Sequence, residues 1–244
     1  MVVSKEIISE LKGVNQIFFD STNIYFVPDF QRTFVWGIPE ISQLFIDFDE
    51  DTKGFSKDVN ELEGYLLGNI VLIEDSADLN RKNVVDGQQR LTTLSLIAKS
   101  LEVVINERIE GELSPENKRK WILKMGELAK GYALFDNQDA IKSLRLIHDA
   151  SLSFGKYYKK LLMDEDVSDN DIHNEEDRNI KDVYIYSYEQ ITQFTDEQLR
   201  VFITYFKTKI KLIVTEAPSE SQAFQLFEIL NNRGKSLEPM DLIK

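Results

Sequence analysis

The segment Val84-Val85-Asp86-Gly87-Gln88-Gln89-Arg90-Leu91-Thr92-Thr93-Leu94 constrains the chain most, because a β-branched run stops at Asp-Gly and a helical pattern begins at once. That order is a strand, a turn and a helix N-terminus. Leu91, Leu94, Ala98, Leu101 and Ile105 recur with alternating gaps of three and four, which places one apolar stripe on a helix running to about Glu107. Asp86 fits the N-cap and Gln89 the third helical position, a capping-box spacing that gives both a structural task. Gly87 and Arg90 fit less well. Glycine weakens a helix unless something must approach the backbone closely, and an arginine in the first turn opposes the helix dipole. An anion at this helix end, held by free N–H groups and the Arg90 guanidinium, resolves both. The alternative is a capped helix with Arg90 reaching into solvent.

Composition narrows the chemistry. A chain of 244 residues with 42% hydrophobic residues, 15 Phe and 9 Tyr can bury a sizeable core as one domain or two. The absence of cysteine excludes disulfides, a thiol nucleophile and thiolate metal sites. Two histidines in separate segments, His148 and His173, argue against a histidine-based metal site. The N-terminal residues lack a signal-peptide layout and no apolar run approaches a membrane span, so a cytoplasmic protein with no membrane association is expected. The net charge of −13 argues against non-specific coating of DNA, which needs clustered Lys and Arg. Residues 164 to 182 hold nine Asp or Glu against Arg178 and Lys181, and read as a solvated linker.

Along the chain, a helix is expected at about Lys5–Leu11, then β-rich pieces at Gln16–Phe19 and Ile24–Val27. Pro28 stops the second, so Gln31 and Arg32 should leave its end. Pro39, Ile41, Phe45 and Phe48 mark an amphipathic helix, with Trp36 before it read as core. Residues 64–74 read as a buried strand entered through a Gly68-Asn69 turn. The short link to Val84-Val85 makes the two strands an antiparallel pair and brings Gly68 and Asn69 near Asp86. From about 107 to 194 the pattern is helical with charged faces, including a stripe of Ala140, Ile141, Leu144, His148 and Leu152. Capping boxes at Thr195 and Ser219 open helices on either side of a strand at 209–215. The second helix turns Ala223, Leu226, Phe227 and Leu230 inward and ends at Asn231-Asn232-Arg233-Gly234. A further helix starts at Pro239 and the chain stops within a turn, which reads as the N-terminal part of a longer protein.

Three boxes, Val27-Pro28-Asp29-Phe30-Gln31-Arg32 through Trp36, Asp86-Gly87-Gln88-Gln89-Arg90, and Phe227 to Leu237 with Asp241-Leu242-Ile243-Lys244, resemble one family in this order. It is the domain of unknown function 262, the DGQQR-motif domain at the N-terminus of GmrSD-type modification-dependent restriction proteins. The resemblance implies an α+β fold, a small ParB- and sulfiredoxin-like mixed sheet with flanking helices and a large helical insertion. Residues 1–106 would form the first part of the core, 107–194 the insertion with its acidic linker, and 195–244 the rest of the core and the start of a helical region. Sulfiredoxin chemistry is absent with its cysteine. Glu238 departs from the small hydroxyl residue common in relatives, which puts capping of the last helix in doubt.

The resemblance further implies a role in restriction and phage defence, with nucleotide binding and hydrolysis or sensing of modified DNA coupled to a C-terminal nuclease-type domain. No His-Asn-His nuclease motif occurs in these residues. Carried over by position, Gln31, Arg32, Gly87, Gln88, Arg90, Asn231 and Arg233 would bind phosphates or nucleotide, with Asp241 in the third box, and the strand pairing adds Gly68 and Asn69 to them. Asp86, Gln89 and Arg90 would be catalytic: Arg90 and Arg32 clamp phosphates, Asp86 holds Mg2+ or water, and Gln89 orients the attacking water. The expected ligands are an NTP and Mg2+, with DNA reached through the full-length protein. Two other readings stand beside this one: a non-hydrolytic reader of modified DNA, and a structural partner-interaction domain.

Overall fold

Hydrophobic patterning resolves into two layers of helix about a mixed sheet. A computed structural model describes residues 6–29, 31–56, 58–75, 78, 80–112, 114–135, 141–165 and 167–232. The strands are β1 (Ile8–Gly13), β2 (Ile24–Val27), β3 (Tyr65–Glu74), β4 (Arg81–Asp86), β5 (Ala133–Phe135), β6 (Ile141–Leu144), β7 (Leu146–His148) and β8 (Ile210–Ala217). The helices are α1 (Ile38–Thr52), α2 (Gln88–Gly111), α3 (Pro115–Tyr132), α4 (Ser153–Leu162), α5 (Glu175–Thr192), α6 (Asp196–Thr208) and α7 (Glu220–Asn232). Six strands form one sheet in the order β1-β8-β3-β4-β2-β7, while β5 and β6 make a separate hairpin. β3 runs antiparallel to β4 and parallel to β8, and β2 runs parallel to both β4 and β7. The architecture is α+β, as the sequence implies.

Neighbouring residues of β3 point to opposite faces. Leu72 enters the large core with Leu91, Leu94 and Phe202, whereas Val71 joins Val85, Ala217 and Ala223 beneath α7. α2 is the axis of the large core. Its expected stripe is buried, but Thr92, Thr93, Ser95, Lys99 and Ser100 on its other sides are buried too, because α3 and α5 close over them. All of these polar groups but the Thr93 hydroxyl are paired: Thr92 Oγ1 lies 3.1 Å from His148 Nε2, Ser95 and Ser100 donate back to Leu91 O and Leu96 O, and Lys99 Nζ meets Glu102 and Asp164 at 2.8 and 2.6 Å. Among the described residues no helix is long and apolar enough to cross a membrane.

Local patterning misleads in four places. Residues 8–13, inside the expected first helix, are strand β1, because β8 offers an unpaired edge in register from Ile8↔Glu216 to Gly13↔Lys211. Residues 15–19, expected as strand, form a π-helical turn with Ile17 and Phe18 buried. The expected helix carrying Ile141, Leu144 and His148 is instead β6 and β7, and β7 docks on β2 with His148 opposite Val27. Gly68-Asn69 is not a turn into a strand but a bulge within β3, where the register to β8 shifts between Leu66 and Gly68. The acidic stretch is built into the fold: Asp171 pairs with Lys160, Asp169 with Lys181, and Asp177 is buried at the start of α5, accepting from His173 N.

Candidate functional site

β4 ends at Asp86 and α2 starts at Gln88, so the strand-turn-helix is formed, but its cap is not the expected one. Gly87 holds the N-cap position with φ 95°, and neither Asp86 nor Gln89 caps the helix. A left-handed φ favours glycine. A Cβ there would also lie 2.3 Å from Ile70 Cγ2, so β3 packs against the turn too closely for any side chain. With no side chain capping it, the first turn of α2 leaves backbone N–H groups without intrahelical acceptors.

Arg90 is half-buried and reaches across to β3. Its Nε donates to Leu67 O and its Nη1 to Asn69 O, both at 3.1 Å, across the bulge of β3. Gly68, with φ 126°, is required by that approach, since a Cβ would sit 2.7 Å from Arg90 Nε. Gly68 and Asn69 therefore come next to the Asp86 turn, as the antiparallel pairing implies, and form a shelf behind it rather than part of the cavity wall.

The first box is stitched to the second by glutamines. Gln31 Nε2 donates to Val85 O at 2.7 Å, and Gln88 Nε2 donates to Arg32 O. Gln89 Oε1 accepts from Val35 N and Trp36 N at 2.9 and 3.2 Å, while its Nε2 donates to Thr33 O at 2.8 Å. The Gln89 oxygen thus accepts two bonds from the loop before α1, and one N–H of its amide donates back to that loop. Gln88 is the reverse case: it is 3% exposed and its Oε1 is buried without a partner.

Gln31, Arg32 and residues 85–90 converge on one cavity of about 270 Å³, closed on its other side by Trp36, Phe224 and Phe227. Trp36 packs on the core and lines the cavity at once. Phe224 was not legible as a site residue, because the α7 stripe turns Ala223 and Phe227 inward; it lines the cavity only because α7 lies across the β3–β4 end. Arg32 is exposed, and neither its guanidinium nor the Asp86 carboxylate pairs with any described residue. Among the described residues no three His, Asp or Glu gather as a metal cage. The cavity thus offers one carboxylate, which suits an ion shared with ligand phosphates rather than one held by protein alone. Asn231 is the penultimate residue of α7 with its side chain outside the described residues, and Arg233 and Asp241 lie wholly outside them.

An exposed arginine, a carboxylate with no partner among the described residues, open helix N–H groups and an aromatic wall thus meet at one cavity. Comparison with known families matches residues 14–244 to the GmrSD restriction endonuclease, N-terminal domain. No curated protein matches the chain. The matched span contains every part of the cavity, and the chain belongs to the family of GmrSD restriction endonuclease N-terminal domains.

Proposed function

We propose that this domain binds a nucleoside triphosphate at the Asp86 turn and hydrolyses it, as the regulatory part of a restriction protein. The observation that carries this reading is the grouping of Arg32, Asp86 and the buried, unpartnered Gln88 Oε1 at the open N-terminus of α2. The N–H groups of the first turn and the Arg32 guanidinium bind the phosphates, and Trp36, Phe224 or Phe227 gives the base an apolar surface. A bound Mg2+ would neutralise phosphate charge as the bond between the β- and γ-phosphates breaks, and Asp86 is the residue that would hold it. The orienting of the attacking water passes from Gln89, whose amide is engaged, to Gln88 Oε1. Arg90 supports the site from behind by holding the β3 bulge.

The same aromatic wall suits one unstacked base, which keeps reading of modified DNA as the second interpretation. Calorimetric titration with ATP, GTP, CTP and UTP plus Mg2+ tests the first. Saturable binding weakened about tenfold or more by Arg32→Ala supports it, since a charge-assisted contact is worth about 1.5 kcal/mol or more. No binding by the intact chain, together with salt-sensitive binding of modified oligonucleotides, replaces it by the second.

A further inference from the structure

Away from the Asp86 turn, a second cavity of about 190 Å³ lies where β6, β7 and α4 meet. Leu144, Leu146, Ile147 and Met163 make its walls apolar, and His148 and Tyr158 are also among its lining residues. The His148 ring stands edge-on to Phe154 and Tyr158, with centroids 4.8 and 4.6 Å away. Its Nε2 lies 3.1 Å from Thr92 Oγ1, while its Nδ1 is buried without a partner. The residue is 8% exposed, and burial pushes its pKa down to about 3, so the imidazole is neutral and Nδ1 has one unmet hydrogen bond. The Tyr158 hydroxyl, also buried, lies near that of Ser95 without reaching hydrogen-bond geometry.

Each buried polar atom left unpaired costs about 1–3 kcal/mol, and His148 and Tyr158, which carry two such atoms, both line this small cavity. A ligand group would satisfy them. Lys142 and Lys159 stand exposed at the same cavity, and neither forms an ion pair with a described residue, in a chain whose net charge is −13. The cavity is thus apolar in its walls, polar at His148 and Tyr158, and cationic at its two lysines. Thr92 lies one helical turn past Gln88, and Val27, opposite His148 in the sheet, directly precedes the Pro28 box.

We propose that this cavity is a second ligand site, which takes a small aromatic anion: the ring lies among Leu144, Leu146, Ile147 and Met163, a hydroxyl or N–H on it meets His148 Nδ1, and its acid group meets Lys142 and Lys159. The site stands independently of the nucleotide reading, since it shares no lining residue with the Asp86 cavity.

The test is NMR of the imidazole nitrogens in the whole 244-residue chain, titrated with 4-hydroxybenzoate, with acetate as the anion lacking a ring. Only His148 and His173 contribute signals, and His173→Gln assigns them. The expected result is a saturable shift of the His148 resonances alone, absent with acetate, with affinity falling about tenfold in the Lys142→Ala, Lys159→Ala double variant. Both lysines are exposed, so that variant keeps its fold. A His148 signal that does not respond to 4-hydroxybenzoate overturns the site and leaves a cavity filled by water. An equal response to acetate, or unchanged affinity in the double variant, overturns the aromatic-anion assignment.

Discussion

The inner wall and the rim of the Asp86 cavity are built from adjacent residues and do different things. On the inner wall, Gly87 is wedged against Ile70, Gln89 holds three backbone groups of the loop before α1, and Arg90 spans the β3 bulge. On the rim, Arg32 and Asp86 have no partner among the described residues and Gln88 keeps a buried oxygen unpaired. A contiguous Asp-Gly-Gln-Gln-Arg run thus divides into residues that hold the fold and residues that remain available to a ligand. Hydrogen-bond accounting, rather than residue type, draws the line.

The sharpest way to break this division is Gly87→Ala. A Cβ 2.3 Å from Ile70 at a φ of 95° should cost about 3 kcal/mol of stability, read as a fall in the urea midpoint. A loss below about 1 kcal/mol would show that β3 yields easily and that the wall is not wedged. Gln89→Ala comes next at about 2 kcal/mol, because Val35 N, Trp36 N and Thr33 O lose their partner; an unchanged midpoint would return Gln89 to the pool of available groups.

His148 carries the comparison to a buried group outside the first cavity. Its folded pKa lies below the ordinary 6.5, so the unfolded chain binds more protons between that value and about 3. Its contribution is therefore present above pH 6.5 and lost as pH falls. Going from pH 7.5 to 5.5 should remove about 1.4 kcal/mol that a His148→Gln protein does not lose. Equal slopes in the two proteins would mean that the imidazole is hydrated. The smallest effect belongs to the rim: Arg32→Ala should leave the urea midpoint within about 0.5 kcal/mol while it weakens ligand binding. A larger loss would move Arg32 to the structural group.

The strand-turn-helix at Asp86, the antiparallel β3–β4 pair and the capping box at Thr195 were legible because each rests on residues within a few positions of one another. The convergence of Gln31 and Arg32 with residues 86–90 was legible only through the family resemblance, since nothing local to either box points to the other. Phe224 entered the cavity through the placement of α7, which no periodicity of its own reveals. The strands at 8–13 and 146–148 were misread because they are short and take their hydrogen bonds from β8 and β2, far along the chain.

By itself the sequence determined the sheet-and-helix frame, the family and the two boxes that make the site, because hydrophobic period, turn chemistry and spacing act locally. Only the tertiary structure decided what each polar side chain does. Gln89 could have capped its own helix, yet its amide bonds Val35 N, 54 residues earlier, and Arg90 lines the cavity while it also bonds two carbonyls of β3. Once buried, a polar group takes whichever partner packing brings within reach, since leaving it unpaired costs more than giving up a local cap.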